Sequence, residues 1–469
     1  MSAGQPTDRG HSPRLLSAAM LGVASGAILV PLNSTMLAVA LPGVMDDFTL
    51  GANAVSSLVT LYLGAVAVAL PVGGSIGDRY GHRPAFLIGV IAFAVASALA
   101  ALATSFEILE VARVGQAVSG ALISTSSAAL VRETAPPSRQ GEAFGLFDLL
   151  VSTSAAVGPF IGGLLVGGFG WRSLFVLAVP LGIVSAAFVG LRLRPETAEE
   201  TAASRRAANP IDVPGLVLLA LAIIAFLVAI RSGSANGALG LVAALAVVPL
   251  LVLFVWVELR TDRPAVDPRL FLRRPFAAAV AGVFGATVIL HGSFVIVPLL
   301  VEILLHETAV TSGIVLLGLA GVGAIVAPFG GRFSDRNGRR VVVVAGSTIS
   351  AIGLAALWLG SGAATALSVA ALLCVVGFGN GLVSPRQAAA LESVEKSRVG
   401  MAAGTYYTGR YLGGVVGASL AGAILGSQVT AGGVASGFLV LTLVGIGVAL
   451  VSLGLRGAGS REGSRATAA

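Results

Sequence analysis

Two side chains that can take up and release a proton, Asp148 and His291, lie inside long apolar runs of this chain, as do two arginines, Arg113 and Arg410. A charge in such a setting is costly unless it faces a cavity or a partner. Glu110, three residues before Arg113 and on the same helix face, can neutralise that arginine in place. Histidine titrates near physiological pH, so the chemistry open to these isolated groups is proton transfer. Metal binding and intramembrane catalysis need clusters instead. The four histidines (His11, His82, His291 and His306) are scattered, and no group of acids gathers at one membrane surface. Cys374 is the single cysteine, so no intramolecular disulfide forms. No GxxxxGK[ST] phosphate loop occurs, and no cofactor is implied.

A second set of chemistry-bearing residues is repeated. "GGSIGDRYGHR", Gly73 to Arg83, has nearly the form of "GGRFSDRNGRR", Gly330 to Arg340, and Asp78 and Asp335 stand 257 residues apart. Gly74 and Gly77 allow close helix approach, and Gly81 permits a tight turn. Asp78 can cap a neighbouring helix or pair with an arginine. Together with Arg79 and Arg83 they read as a latch between two parts of the chain. Gly331, Asp335, Arg336 and Gly338 form the second copy, in which Ser334 stands where Gly77 would fall.

The elements that must hold these groups follow from composition. Hydrophobic residues make up 56% and charged residues 11% of 469 residues, and mean hydropathy is +0.95. A soluble domain carries about 25% charge, so lipid is the solvent for most of this chain. The net charge of +7 forms no basic stripe with interleaved aromatics, which argues against nucleic acid. The polar segment Met1 to Arg14 precedes an apolar run, Leu15 to Leu41, longer than the ~7–15 residues of a signal core. It is read as a retained first span.

Runs of about 20 apolar residues predict fourteen transmembrane helices. Six lie near 15–41, 54–77, 84–104, 106–131, 142–167 and 172–193, followed by a polar linker from Arg192 to Pro210. Two lie near 213–230 and 238–258, followed by a basic linker from Arg260 to Arg274. The last six lie near 275–304, 309–331, 340–360, 364–385, 399–425 and 433–455. With both termini cytoplasmic, 25 of the 29 Lys and Arg fall on the cytoplasmic side, the expected bias. The opposite loops hold Asp46, Asp47, Glu107 and Glu307. The fold expected is all-α and polytopic: a six-helix half at 1–193, a linker with two extra helices at 194–262, and a second half at 263–469. The 257-residue offset makes the halves a parallel repeat about an axis along the membrane normal.

These segments resemble a known family. "GGSIGDRYGHR" is similar to the loop signature of the major facilitator superfamily, and its second copy strengthens the match. "SAAVGPFIGG", Ser154 to Gly163, resembles the helix 5 motif of exporters that work as antiporters, with Ser154 where that motif opens with glycine. Its Gly158–Pro159 pair weakens one helical turn, and Gly162 and Gly163 make a face for tight packing. "RVGQAVSGA", from Arg113, resembles the family's arginine–glutamine motif and brings Gln116 into the site, with Ala117 in place of a glycine. "WRSLFVLAVP" (Trp171 to Pro180) and "GRYLGGVVGA" (Gly409 to Ala418) resemble the fourteen-helix drug:proton antiporter branch, and Arg410 matches a family arginine.

The resemblance implies a plasma-membrane exporter of amphipathic, drug-like small molecules, working by alternating access and coupled to protons. Its partners would be the solute, protons and the bilayer, without nucleic acid, and it would act as a monomer. The branch carries an aspartate in helix 1, whereas "LNSTMLAVALP" has Asn33, which can hydrogen-bond a substrate but cannot carry a proton. Asp148, where relatives have a small residue, and His291, opposite Ser34 by the 257-residue offset, are the candidates for that role. Asp148 lies about seven residues, roughly 10 Å, inside the cytoplasmic end. A specific exporter of one metabolite, lipid or antibiotic, with different coupling, is the alternative. An intramembrane enzyme fits less well, because its acid or histidine cluster is missing.

Overall fold

Backbone amides have no water to bond in lipid, so apolar runs of this length close their hydrogen bonds internally as helices. The computed structural model describes residues 18–135, 139–194, 197, 199, 212–232, 237–262, 264, 266–395 and 399–455. Met1 to Arg14 and most of the first polar linker lie outside the described residues. The helices are α1 (Ala18–Met36), α2 (Ser57–Tyr80), α3 (His82–Ala101), α4 (Phe106–Thr134), α5 (Gln140–Phe169), α6 (Ser173–Arg192), α7 (Val213–Ser232) and α8 (Gly237–Arg260). They continue as α9 (Arg274–Leu299), α10 (Ala309–Asn337), α11 (Arg339–Leu359), α12 (Ala366–Leu382), α13 (Val399–Leu425) and α14 (Ala431–Ser452). Among the described residues there is no strand. Thirteen of these helices are long and apolar enough to cross a membrane by themselves. The fourteenth, α13, is 27 residues long but is diluted by glycines and by Thr405, Tyr406, Tyr407, Thr408 and Arg410.

Helix ends differ from the sequence expectation in one informative way. The repeated charged segments are helical rather than looped: α2 continues through Asp78 to Tyr80, and α10 continues through Asp335 to Asn337. Each turn is reduced to a single glycine in the left-handed region, Gly81 at φ 96° and Gly338 at φ 84°. Arg79 and Arg336 in the last turns suit the helix dipole, which favours continuation. At the other end of the molecule, α1 passes into a 3₁₀ turn, Leu37–Ala40, and a short helix, Leu41–Phe48.

The pairing of helices repeats between halves. In the first, α1 packs on α5 and α6, α3 on α4 and α6, and α2 on α4; in the second, α9 packs on α13 and α14, α11 on α12 and α14, and α10 on α12. The halves meet along two seams, α5 with α10 and α2 with α13. Close approach there depends on glycine. A Cβ on Gly163 would lie 2.5 Å from the Ala309 carbonyl oxygen, one on Gly313 2.5 Å from the Pro159 carbonyl oxygen, and one on Gly422 2.6 Å from the Ser56 Cβ.

All these contacts lie toward the face opposite the termini. One apolar core runs through both halves on that side, from Leu37, Val55 and Phe106 to Val295, Leu316 and Phe438. Nearer the termini the core divides in two. Met20, Phe86 and Phe147 belong to a cluster confined to the first half, and Phe276, Ala402 and Tyr406 to one confined to the second. Correspondingly, Gly74 of α2, Gly145 of α5, Gly331 of α10 and Gly404 of α13 have nothing within 4 Å of an added Cβ. The halves are closed on one face and parted on the terminal face. The extra helix α7 lies over the α2–α13 seam, with Ile223 on Gly64 and a shared cluster that includes Ala67, Leu219, Tyr411 and Leu412.

In a Cys374→Ser background, cysteines at Ser56 and Gly422 are expected to crosslink quickly on mild oxidation, because their Cβ atoms start closer than the ~3.5–4.5 Å of a disulfide and a small outward shift brings them into range. Cysteines at Gly74 and Gly404, on the parted part of the same seam, are expected to crosslink slowly. Equal rates for both pairs, read by gel mobility, would contradict one-sided closure.

Candidate functional site

The deepest polar group is built around Arg113. Ser105 caps α4 by accepting from the Ile108 amide, which places Arg113 two turns inside the span. Its side chain is only 1% exposed, so every donor must find a partner inside the protein. Nη1 donates to Asn33 Oδ1 on α1 at 2.7 Å and to Gln116 Oε1 at 2.8 Å. Nε donates to the Leu58 carbonyl on α2 at 3.4 Å. The guanidinium lies over the Tyr62 ring, 4.2 Å from its centroid, a cation–π contact strengthened by exclusion of water. Gln116 is itself held in place, since its Nε2 donates to Ser97 Oγ on α3 at 2.8 Å.

Four helices therefore converge on one cation, and neutral oxygens solvate it. Glu110 does something else. It accepts a hydrogen bond from the Ser57 hydroxyl, so the in-place neutralisation of Arg113 that the sequence allowed is not the arrangement found. Asn33, only 4% exposed, takes the place of a counter-ion as an acceptor.

The other candidates stand apart from this group. His291 lies on α9 with Nδ1 3.1 Å from the Thr287 carbonyl, its ring edge-on to Phe294. It faces α13 and α2, because a Cβ on Gly414 would lie 2.8 Å from Leu63 and 3.0 Å from His291 Nδ1. Arg410, one turn before Gly414, has an exposed side chain within electrostatic reach of His291. Its carbonyl accepts from Thr287 Oγ1 at 2.8 Å. Asp148 is exposed and lies eleven residues before Pro159, which puts both on the α5 face turned toward α10. Ser152 is one turn above Asp148 on that face. The polar groups form three separate stations: Arg113 sealed in the first half, His291 with Arg410 on the α2–α13 seam, and Asp148 on the α5–α10 seam.

In the repeated segments the contacts of Asp78 with His82, of Arg83 with Gly190 and of Arg339 with Glu392 lie within their own halves. Asp78 pairs with His82 at 3.5 Å, one turn away, rather than capping a helix or meeting an arginine. Arg83 Nη2 donates to the Gly190 carbonyl at 2.9 Å and ties α3 to α6. Close packing expected at Gly74 falls instead on Gly73, whose Cβ would meet the Ala121 backbone at 3.2 Å, while Gly77 lies against the His82 ring. In the second copy Asp335 and Arg336 are exposed, and Arg339 pairs with Glu392. On α5, Gly158 and Gly162 face α1, where added Cβ atoms would lie 3.1 Å from Thr35 Cβ and 3.1 Å from Met36 Cα; Gly163 faces the other half.

Among the charges that the sequence reading did not single out are Arg386, which is buried, and Glu302, which is half-buried. Arg386, 2% exposed, donates to the Gly282 carbonyl at 2.7 Å and to Ser347 Oγ at 3.2 Å, and so pins the second half. Its position just past an apolar run made it look like one more flanking cation. Glu302 lies inside the last turn of the α9 span, where the count of apolar residues hid it.

Helices that span a membrane, two pseudo-equivalent halves and a polar interior open on one face define a membrane transporter. The Major Facilitator Superfamily profile matches residues 23–418 and 322–468, and the chain belongs to this family. It is 32% identical to the uncharacterized MFS-type transporter YwoD of Bacillus subtilis, over 88% of this chain and 91% of that one. It is 29% identical to the multidrug resistance protein Stp of Mycobacterium tuberculosis, over 88% and 76%. With the tetracenomycin C resistance and export protein of Streptomyces glaucescens it shares 34% identity over 72% and 62%. Among solved structures, a mutant of the peptide transporter POT superposes with a TM-score of 0.69 at 13% identity, covering 92% of this chain and 93% of that one.

Gln116→Leu would remove an acceptor from Arg113 and a donor from Ser97. A cost of about 1–3 kcal/mol is expected for the buried donor left unpaired, seen as a lower melting temperature in detergent. An unchanged melting temperature would mean that Asn33 and Leu58 suffice. Asp78→Asn is expected to leave insertion intact and to slow transport, because it removes the His82 pair without changing shape; normal transport at normal expression would rule out a gating role.

Proposed function

We propose that this protein is a proton-coupled exporter of amphipathic, drug-like compounds in the plasma membrane, with its terminal face in the cytoplasm. The observation that carries the reading is the one-sided closure. Glycine-backed contacts seal one face, while Asp148 and Arg410 stand exposed on seams that part toward the other. A solute entering from the cytoplasm would meet both charges along the seams, and closure along the same seams would release it outward. Named functions among the relatives, multidrug resistance and tetracenomycin C export, support the solute class. The excess of arginine at the terminal ends of the helices supports the orientation. The gating set around Asp78 and Asp335 and the helix 5 set of Gly158, Pro159, Gly162 and Gly163 are proposed to control the seams. The halves are taken to divide at 193 and 262, and the unit that works is taken to be the monomer.

With Asn33 unable to ionise, the proton must be carried elsewhere, and Asp148 and His291 are proposed to share the task. Inverted membrane vesicles with an imposed pH gradient and a panel of cationic, neutral and anionic amphiphiles test the reading. Wild-type protein is expected to accumulate several unrelated compounds. Asp148→Asn and His291→Gln are each expected to reduce gradient-driven uptake, and the double variant to reduce it most. Uptake indifferent to the gradient in wild type would refute proton coupling. Response to a single compound would favour the specific-exporter reading.

A further inference from the structure

Of the carboxylates inside the spans, Glu110 accepts from Ser57, Asp148 is exposed on α5, and Glu258 is buried at the end of α8. Glu302 is different. Residues Leu300–Leu304 form a π-turn at the end of α9, closed by the Leu305 amide on the Leu300 carbonyl at 3.0 Å and the Glu307 amide on the Val301 carbonyl at 3.0 Å. Such single π-turns are often found at functional sites, because they re-aim one side chain at the expense of regular bonding. Here the turn directs Glu302 inward, toward the start of α10. Glu302 is half-buried; its Oε1 is shielded from solvent and has no hydrogen-bond partner, and the Ser312 side chain lies beside the carboxylate.

The surroundings hold little that could balance a negative charge. From Ala309 to Gly330, α10 has no ionisable residue, and α14, which also packs on the π-turn, has none between Ala431 and Ser452. On the α9–α10 connection stand His306 and Glu307, both exposed. The short helix Leu41–Phe48, packed against α9, carries Asp46 and Asp47, and Asp47 is already paired with Arg172. On α13, Arg410 and the tyrosines 406, 407 and 411 lie toward the opposite end. On α9 itself the nearest ionisable group is His291, eleven residues or roughly 16 Å away along the axis. A carboxylate with an unbonded oxygen is costly to hold as an anion in such a place, whereas the neutral acid can donate to a hydroxyl.

Position adds the link to transport. Ser312 directly precedes Gly313, which packs on the Pro159 carbonyl of the other half. Glu302 therefore sits one residue behind the seam that closes the face opposite the termini. We propose that Glu302 is the outward-facing proton site of the transport cycle: it holds a proton while the α5–α10 seam is shut and exchanges it with the outside when the seam opens. Balance is simple, since one proton binds the carboxylate from the outer water and the same proton leaves once the protein has turned inward. The proposal rests on the proton-coupled reading above and adds the site at which the external proton is loaded.

The test uses the full chain in proteoliposomes, with ethidium as the transported probe. Infrared difference spectra between acid and alkaline buffer are expected to show a protonated-carboxyl C=O band in wild type that is missing in Glu302→Gln. Gradient-driven ethidium accumulation is expected to fall by roughly tenfold or more in Glu302→Gln, as for loss of a proton-transferring group, while ethidium exchange without a gradient persists. Glu302→Asp is expected to recover part of the driven transport. A band unchanged in Glu302→Gln, or driven transport at the wild-type level, would overturn the proposal. Loss of driven transport and exchange together would also overturn it, by assigning Glu302 a structural role. Wild-type protein that ignores the gradient would fail the proton-coupling reading itself, and the infrared band would then decide separately whether Glu302 holds a proton.

Discussion

Backbone touching backbone at glycine is the contact on which the rest of this structure depends. At Gly163 and Gly313 the two halves approach so closely that a single methyl group would collide with a carbonyl of the other half, and at Gly422 it would collide with the Ser56 side chain. In lipid, where burying apolar surface gives helices no reason to associate, such contact supplies the dispersion and Cα–H contacts that hold them together. Because these glycines lie toward one end of the seams, they act as a fulcrum. The same helices, α2, α5, α10 and α13, are joined at that end and free at the other. Their free ends carry the exposed charges.

The Arg113 group illustrates how a cation can be kept in a membrane without a counter-ion. Three carbonyl-type oxygens and the face of Tyr62 replace water around the guanidinium, and helices α1 to α4 each contribute a side chain or a carbonyl. Such a site is expensive to disturb, since any change leaves a donor unsatisfied. It also fixes the relative placement of four helices in the first half. Arg386 does comparable work in the second half with Gly282 and Ser347. Each half is thereby tied together around a buried arginine.

Much of this was legible in the sequence, and for a physical reason. Lipid tolerates only unbroken helices, so the fourteen apolar runs and the turns at Gly81 and Gly338 could be located from residue types alone. Facing directions could not. Helices that are apolar all round give no stripe to read, and the close packing assigned to Gly74 belongs to Gly73, one residue and about 100° away on an ideal helix. The Asp78–His82 pair was available from its four-residue spacing, but the expectation of a loop at Asp78 concealed it. Asn33 was noticed as a missing acid; its bond to Arg113 needed the structure, because nothing in the chain links positions 80 residues apart. Glu302 and Arg386 were hidden by position, since charges near the ends of apolar runs read as ordinary boundary residues.

The helix α7, laid across the α2–α13 seam, makes the two sides of the molecule unequal. Ile223 on Gly64 and the cluster around Leu219 and Tyr411 cover that seam from the lipid side, while the α5–α10 seam has no comparable cover among the described residues. Of the two slots parted toward the terminal face, one is thus shuttered and the other is not. On the proposed function, a solute dissolved in the leaflet on the terminal side would have a sideways doorway past Asp148, and need not pass through the aqueous mouth at all. Were the solute one that partitions strongly into membranes, the bilayer itself would be the reservoir from which the protein is fed.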